Sequence, residues 1–253
     1  MARRARDYVL IVLSVLFVGL TMSLGFWQLR RRSQRLAQNA EVISRLADPA
    51  IPVRQLSQDS AAFHYRRVYL NGRYDYSREL KIVYRSRDGS PGINIVTPLI
   101  IAGTDTAVLV NRGWVYAPDG RTVDLSQWRE SDSLGGIGYA RPLFRPFSGP
   151  PGLPGRPDSF RWLDLGALRS RLPYPLYPFV IVLEGDTDSH GKVPPRVPPP
   201  PLDEGPHLSY AIQWFSFAII AVVGMYFFLR ASANPTGLVE DILSSKDAES
   251  DER

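Results

Sequence analysis

Two apolar runs without a full charge, Tyr8 to Leu29 and Leu208 to Leu229, constrain this chain more than any other feature. At about 1.5 Å rise per residue, each is long enough as a helix to cross a hydrocarbon core about 30 Å thick. Arg3, Arg4 and Arg6 precede the first run and Arg30, Arg31, Arg32 and Arg35 follow it. Asp203 and Glu204 stand before the second, and Arg230 ends it. A basic start before an apolar core also describes a secretory signal. This run is longer than a typical signal core, and no small-x-small cleavage pattern precedes Trp27, so it reads as an uncleaved anchor.

Two spans place both termini on one side of the membrane. A connecting segment this long translocates largely regardless of its charge. The expected topology therefore has both termini in the cytoplasm and the large middle domain outside. The stretch before the first run leaves no room for an arginine-rich mitochondrial transit peptide, which favours a bacterial cell (inner) membrane. The expected layout is a cytoplasmic N-terminus (1–7), a first transmembrane helix (8–29), an extracytoplasmic β-rich domain (30–192), a proline-rich linker (193–206), a second transmembrane helix (207–229) and an acidic cytoplasmic tail (230–253).

Between the spans, Ser33 to Leu46 reads as a short helix leaving the membrane, ended by Pro49 and Pro52. Tyr65–Tyr74, Leu80–Tyr84, Ile93–Ile101, Ala107–Tyr116, Ile137–Phe144 and Pro178–Glu184 read as strands, separated by turn signals such as Asp88-Gly89-Ser90-Pro91-Gly92. Val123–Gly136 is expected to be a loop or short helix, Phe147–Asp158 a long turn, and Leu165–Leu172 a helical piece. Gly135-Gly136-Ile137-Gly138 reads as a flexible turn. The fold class is thus membrane α+β, two transmembrane helices flanking an antiparallel sheet or small barrel. Val193–Pro201 is nearly all proline and is expected to be an extended, stiff strut. The tail after Asn234 is acidic and poor in aromatics, the composition of a disordered segment.

The chemistry is narrow. With no cysteine, disulfides, thiolate metal sites and covalent haem attachment are excluded. The three histidines, His64, His190 and His207, have no chelating spacing. No phosphate-binding loop, nucleophile elbow or dinucleotide fingerprint is present, so the chain reads as a non-enzyme. The positive charge is almost all arginine, dispersed and without a nucleic-acid motif, which argues against nucleic-acid binding; it reads either as a surface that meets anionic lipid or carboxylate-bearing ligands, or as a base composition that favours arginine codons. Asn111-Arg112-Gly113-Trp114 marks either a close backbone approach or a β-bulge in the core.

The second span carries more than an anchor requires. At about 100° per residue, His207, Tyr210, Ala211, Trp214, Ala218, Ala221 and Met225 share one face, opposite Ile212, Ile219, Ile220, Val223 and Phe227. On the first span Gly19, Ser23, Trp27 and Arg30 share a face. Small residues let membrane helices approach closely, so these faces are expected to pair and leave His207, Tyr210, Trp214 and Trp27 around a shallow pocket at the membrane surface. A neutral imidazole there can ligate haem iron, and Arg30 or Arg31 can pair with propionates. The alternative is an interfacial histidine bonded to headgroups beside ordinary aromatic anchors.

An ordered set of motifs resembles the Surfeit-locus (Shy-type) family of cytochrome c oxidase assembly factors. Gly25-Phe26-Trp27-Gln28-Leu29-Arg30 is similar to the family's Gly-x-Trp-Gln signature. Tyr65-Arg66-Arg67-Val68, Gly72-Arg73-Tyr74, Val96-Thr97-Pro98-Leu99 and Val110-Asn111-Arg112-Gly113-Trp114-Val115 follow in order, and the second span opens His207-Leu208-x-Tyr210 with Trp214 after it. Members often carry Asn two positions before the histidine, where this chain has Gly205. The resemblance implies a two-span membrane protein that matures haem-copper cytochrome c oxidase. It also implies binding of haem a at the outer surface, with His207 as ligand, and its handover to the catalytic subunit. Tyr210, Trp214, Trp27 and Arg30 are candidate pocket residues, and Gln28, Asn111, Arg112 and Gly113 are further motif positions. Expected partners are the oxidase catalytic subunit, other assembly factors and membrane lipid. The alternative function is a membrane-anchored scaffold that binds an oxidase subunit without carrying haem.

Overall fold

The structure, a computed structural model, describes residues 2–143, 149–186 and 191–233. In chain order the elements are α1 (Ala2–Ala47), β1 (Ile51–Pro52), α2 (Ser60–Phe63), β2 (Arg67–Tyr74), β3 (Leu80–Arg87), β4 (Ser90–Ile101), β5 (Ala107–Tyr116), β6 (Ser133–Pro142), β7 (Gly152–Leu153), β8 (Arg156–Phe160), α3 (Leu165–Arg169), β9 (Leu176–Leu183) and α4 (His207–Ala233). One compact unit holds the residues through Ala40 with those from Leu202 onward; the other runs from Glu41 to Pro201. Expectations for the tail after Asn234, for His190 and for the Phe144 end of a strand fall outside the described residues.

The span and the short helix expected after it form one helix of 46 residues. Arg30 to Ala47 contains no Gly or Pro and is rich in Ala, Leu, Gln and Arg, so nothing interrupts the backbone ladder before Pro49. Both α1 and α4 carry segments long and apolar enough to cross a membrane. They pack antiparallel: Gln28 meets His207, Phe26 sits edge-on to Phe215, and Ser14, Val15 and Val18 share a groove with Ala221, Val222 and Met225.

The stripe of α4 that faces α1 runs through His207, Ala211, Trp214, Ala218, Ala221 and Met225, while Ile212, Ile219, Ile220, Val223 and Phe227 are exposed, as the periodicity predicts. The α1 stripe differs from expectation. Thr21, Gly25 and Gln28 are buried, and Gly19, Ser23, Trp27 and Arg30 lie off the seam. Gly25 decides this, because a Cβ there would come within 2.5 Å of the Phe215 ring. Thr21 is tolerated in the seam because its hydroxyl donates to Phe17 O and Val18 O.

The second unit contains a closed five-stranded barrel in the order β2-β6-β9-β5-β4, shut by a short pairing of β2 with β4. Neighbours are antiparallel except β5 and β9, which are parallel. Strand β2 pairs with β6 along most of its length and with β4 from Gly72 to Tyr74. Gly72 permits the closure, since a Cβ there would collide with Ile100 O. Inward residues alternate along each strand. Val68, Leu70, Leu99, Ile101, Val108, Val110, Ala140, Phe179 and Ile181 fill the barrel. A second core forms outside it, where Phe160, Leu163, Leu168 and Leu172 of the β8–α3 segment cover Ile82, Val96, Leu109 and Val180.

Three expectations are corrected here. Gly135-Gly136-Ile137-Gly138 is no turn: it lies within β6, opposite Asn71, Leu70, Tyr69 and Val68. Strand β6 therefore begins at Ser133, inside the segment expected to be a loop or short helix, whose earlier part does form a short 3-10 helix (Leu125–Trp128). The expected long turn contains β7 and the start of β8. The proline segment is extended but does not stand free. Pro195 O accepts from Trp114 N at 2.9 Å, and Arg196 N donates to Asp186 O.

Candidate functional site

At the start of α4, Gly205 has φ +69°, a left-handed conformation that glycine and asparagine adopt most readily. Pro206 follows; its carbonyl accepts from Tyr210 N and from the Ser209 hydroxyl, which locks the first turn. This fixes His207 against α1. Its Nδ1 lies 2.8 Å from Gln28 Oε1, and Gln28 is only 9% exposed. A carboxamide oxygen can only accept, so Nδ1–H is the donor in this bond and, in the neutral ring, Nε2 is the nitrogen with the lone pair. Nε2 makes no hydrogen bond to any described residue, and Gly205 leaves open the side of the ring where a Cβ would sit 3.5 Å from it.

Two further bonds from the same side of α1 hold the approach to α4. Arg32 donates twice to Glu204 Oε2, at 2.7 and 2.9 Å, and Asn39 Nδ2 donates to Asp203 O at 2.9 Å. Gln28, Arg32 and Asn39 follow helical spacing and meet His207, Glu204 and Asp203 in reverse order. Arg32 was visible in the sequence only as part of a basic run, and the acidic pair at 203–204 was the signal for its partner.

The structure thus brings together His207 and Gln28 rather than His207 and Trp27. Trp27 is 50% exposed, Tyr210 is 48% exposed, and Trp214 is half-buried on the inward stripe with its ring edge-on to Phe217. Arg30 is exposed and has no ion-pair partner among the described residues, while Arg31 bonds Gln34. Met225 shares the His207 stripe but lies about 27 Å away along the helix. Among the described residues no group of three or more His, Cys, Asp or Glu gathers to hold a metal ion.

Asn111, Arg112 and Gly113 lie in the second unit, at a β-bulge where Ile95 and Val96 of β4 oppose Gly113 and Asn111 of β5. The extra residue, Arg112, turns inward and is 0% exposed. Its guanidinium donates to Thr97 Oγ1 (2.8 Å), Trp128 O (2.6 Å), Glu130 Oε1 (2.9 Å) and Glu79 Oε1 (2.5 Å). Arg196, from the proline segment, forks onto Glu130 and donates to Arg112 O. Burial alone would lower the Arg112 pKa, but Glu79, Tyr76 and Glu130 outweigh it and raise it above the ordinary value. Two cations face two carboxylates, and the rings of Tyr74 and Tyr76 lie against the Arg112 cation. The Gly113 backbone lies against Pro194 and Pro195, so the bulge and the close approach occur together.

Comparison with known proteins finds the SURF1 family over residues 15–219, a stretch that includes Gln28, Arg112 and His207. A SURF1-like protein of Mycobacterium tuberculosis is 27% identical over 240 residues, covering 88% of this chain and 82% of that protein. A SURF1-like protein of Drosophila melanogaster is 25% identical over 225 residues, 81% of this chain and 72% of its own length. Surfeit locus protein 1 of Xenopus tropicalis is 30% identical over a shorter stretch of 129 residues, 45% of this chain and 42% of the relative.

Proposed function

The chain belongs to the SURF1 family, and on that premise we propose that it serves cytochrome c oxidase assembly by holding haem a and delivering it to the catalytic subunit. The observation that carries this reading is the Gln28–His207 bond, which engages Nδ1 and leaves Nε2 as the ring nitrogen that would ligate iron. Haem is cargo here, and iron ligation by one histidine would supply the hold. Gln28 fixes the ring's tautomer and direction, and the left-handed turn at Gly205 keeps the Nε2 side clear. The exposed guanidinium of Arg30 suits a propionate carboxylate. The chain offers no second histidine on this stripe, and a single axial ligand suits a carrier that must release what it holds. The same reading places the protein in a bacterial inner membrane with both termini cytoplasmic and the β-domain outside.

Oxidase haem content tests this in cells. Membranes from cells carrying His207→Ala should contain oxidase catalytic subunit with reduced haem a, at unchanged levels of the variant protein. Unchanged haem a would overturn the assignment. One observation also favours the scaffold alternative: Gln28–His207, Arg32–Glu204 and Asn39–Asp203 together form a clasp between helix and linker. On that reading the wild type co-purifies with the catalytic subunit but never with haem.

A further inference from the structure

We propose that a cleft on the outer face of the barrel domain binds a small amphipathic oxyanion, an acidic head carried on an apolar body. The cleft has a volume of about 270 Å³ and is lined by Arg85, Arg141, Asn94 and Asn111 on its polar side. Trp162, Leu163, Leu143, Val180 and Val182 form the apolar side.

The polar groups all point to an acceptor. No Asp or Glu is among the lining residues. Among the described residues the Arg85 side chain makes one bond, from Nη2 to Arg161 O at 2.7 Å. Arg141 has no hydrogen-bond acceptor among the described residues; its guanidinium lies 5.9 Å from the Tyr65 ring centre. Asn111 is buried and its Oδ1 already accepts from Gly113 N, so its amide N–H groups are what remain for the cleft. A site whose charged groups are two cations and no carboxylate, with the Asn111 N–H donors beside them, suits an anionic acceptor, a carboxylate or phosphate. Elsewhere in this domain Arg67 meets Glu184, Arg112 meets Glu79 and Glu130, and Arg196 meets Glu130. Burial and the neighbouring Arg141 cation both lower the Arg85 pKa, which a bound anion would reverse.

The backbone is bent to make this arrangement. Ile82 and Arg85 are three positions apart and would point to opposite faces of a regular strand. The register of β3 against β4 slips between them. Tyr84 there has φ +56°, costly for a non-glycine residue, and its N–H is held by Gly120 O at 2.8 Å. The bulge brings Arg85 into the same cleft as Ile82, and bulges that re-aim a side chain cluster beside functional sites. Trp162, 7% exposed, completes the apolar wall on which the body of the ligand would lie.

Calorimetric titration of the full chain in non-ionic detergent tests this with three probes: 3-phenylpropanoate, phenyl phosphate and the uncharged 3-phenylpropanol. At least one anion should bind saturably. Arg141→Gln should weaken that binding about tenfold, the equivalent of one charge-assisted contact. Its melting temperature should stay unchanged, because Arg141 has no acceptor to lose. Arg85→Gln is the second variant and should weaken binding similarly, while Arg129→Gln, on another face against Tyr76, should not. Tighter binding of phenyl phosphate would identify a phosphate head, and tighter binding of 3-phenylpropanoate a carboxylate. The proposal fails if neither anion binds saturably or if the alcohol binds as tightly as the acids. It also fails if both arginine variants bind like the wild type.

Discussion

Arg112 and His207 each stand at the centre of a polar cluster in an otherwise apolar setting, and the two clusters are finished differently. Around Arg112 the charges cancel, four guanidinium bonds are made, and Arg196 closes over the second carboxylate. Around His207 one ring nitrogen is held by Gln28 and the other bonds to no described residue. A saturated, neutral cluster fixes a fold, while the ring nitrogen left over at His207 is where the proposed function would place its ligand.

The largest effect expected from breaking this contrast is on the saturated side. Arg112→Met removes the cation that bonds Glu79 and should cost about 3–5 kcal/mol, the penalty for orphaning a buried charge partner. Chemical unfolding followed by near-ultraviolet circular dichroism would read this, and Arg112→Lys should not restore it, because an ammonium cannot reproduce the planar fork. On the open side, Gln28→Leu should leave that unfolding transition in place and weaken haem binding about 10–100-fold, as losing the partner of a ligating histidine does. Gln28→Glu keeps an acceptor for Nδ1–H and should retain most of the affinity.

A pH series sharpens the comparison, because guanidinium groups do not titrate near neutrality. In the β-domain the described histidine is His64, stacked on Tyr65. Burial, then the Arg141 and Arg45 cations, lower its pKa below the ordinary value of 6.5. The unfolded chain therefore binds this proton more readily than the folded one. Stability is complete above about pH 6.5 and is lost progressively as pH falls through the window down to the folded pKa. Melting temperatures between neutral and mildly acidic pH should decline, and His64→Gln should flatten that part of the slope. The smallest effect belongs to the exposed end of the clasp: Glu204→Ala should cost less than about 1 kcal/mol in thermal unfolding and leave haem binding intact.

How far these clusters can be read from the chain depends on the separation of their parts. The inward face of α4 follows from its periodicity, since a single apolar helix with one histidine defines its own stripe. The α1 face does not, because Gly19 and Ser23 compete with Thr21 and Gly25 as small-residue arcs; the Phe215 ring chooses between them. Most strands are legible as runs of aromatic and β-branched residues. Barrel closure is not, because it needs the β2–β4 contact at Gly72 and the parallel β5–β9 pair. The Arg112 network joins residues 33 and 18 positions away and an arginine from the proline segment, contacts that no local pattern encodes. His207 was legible as a polar residue an anchor does not need; its partner Gln28 entered only as a motif position.

The central claim is that Nε2 of His207 is the haem ligand, and imidazole rescue tests it most directly. The full chain, purified in detergent from cells that make haem a, should show a Soret band that His207→Gly loses and that added imidazole restores. A band that persists in His207→Gly without imidazole would contradict the claim.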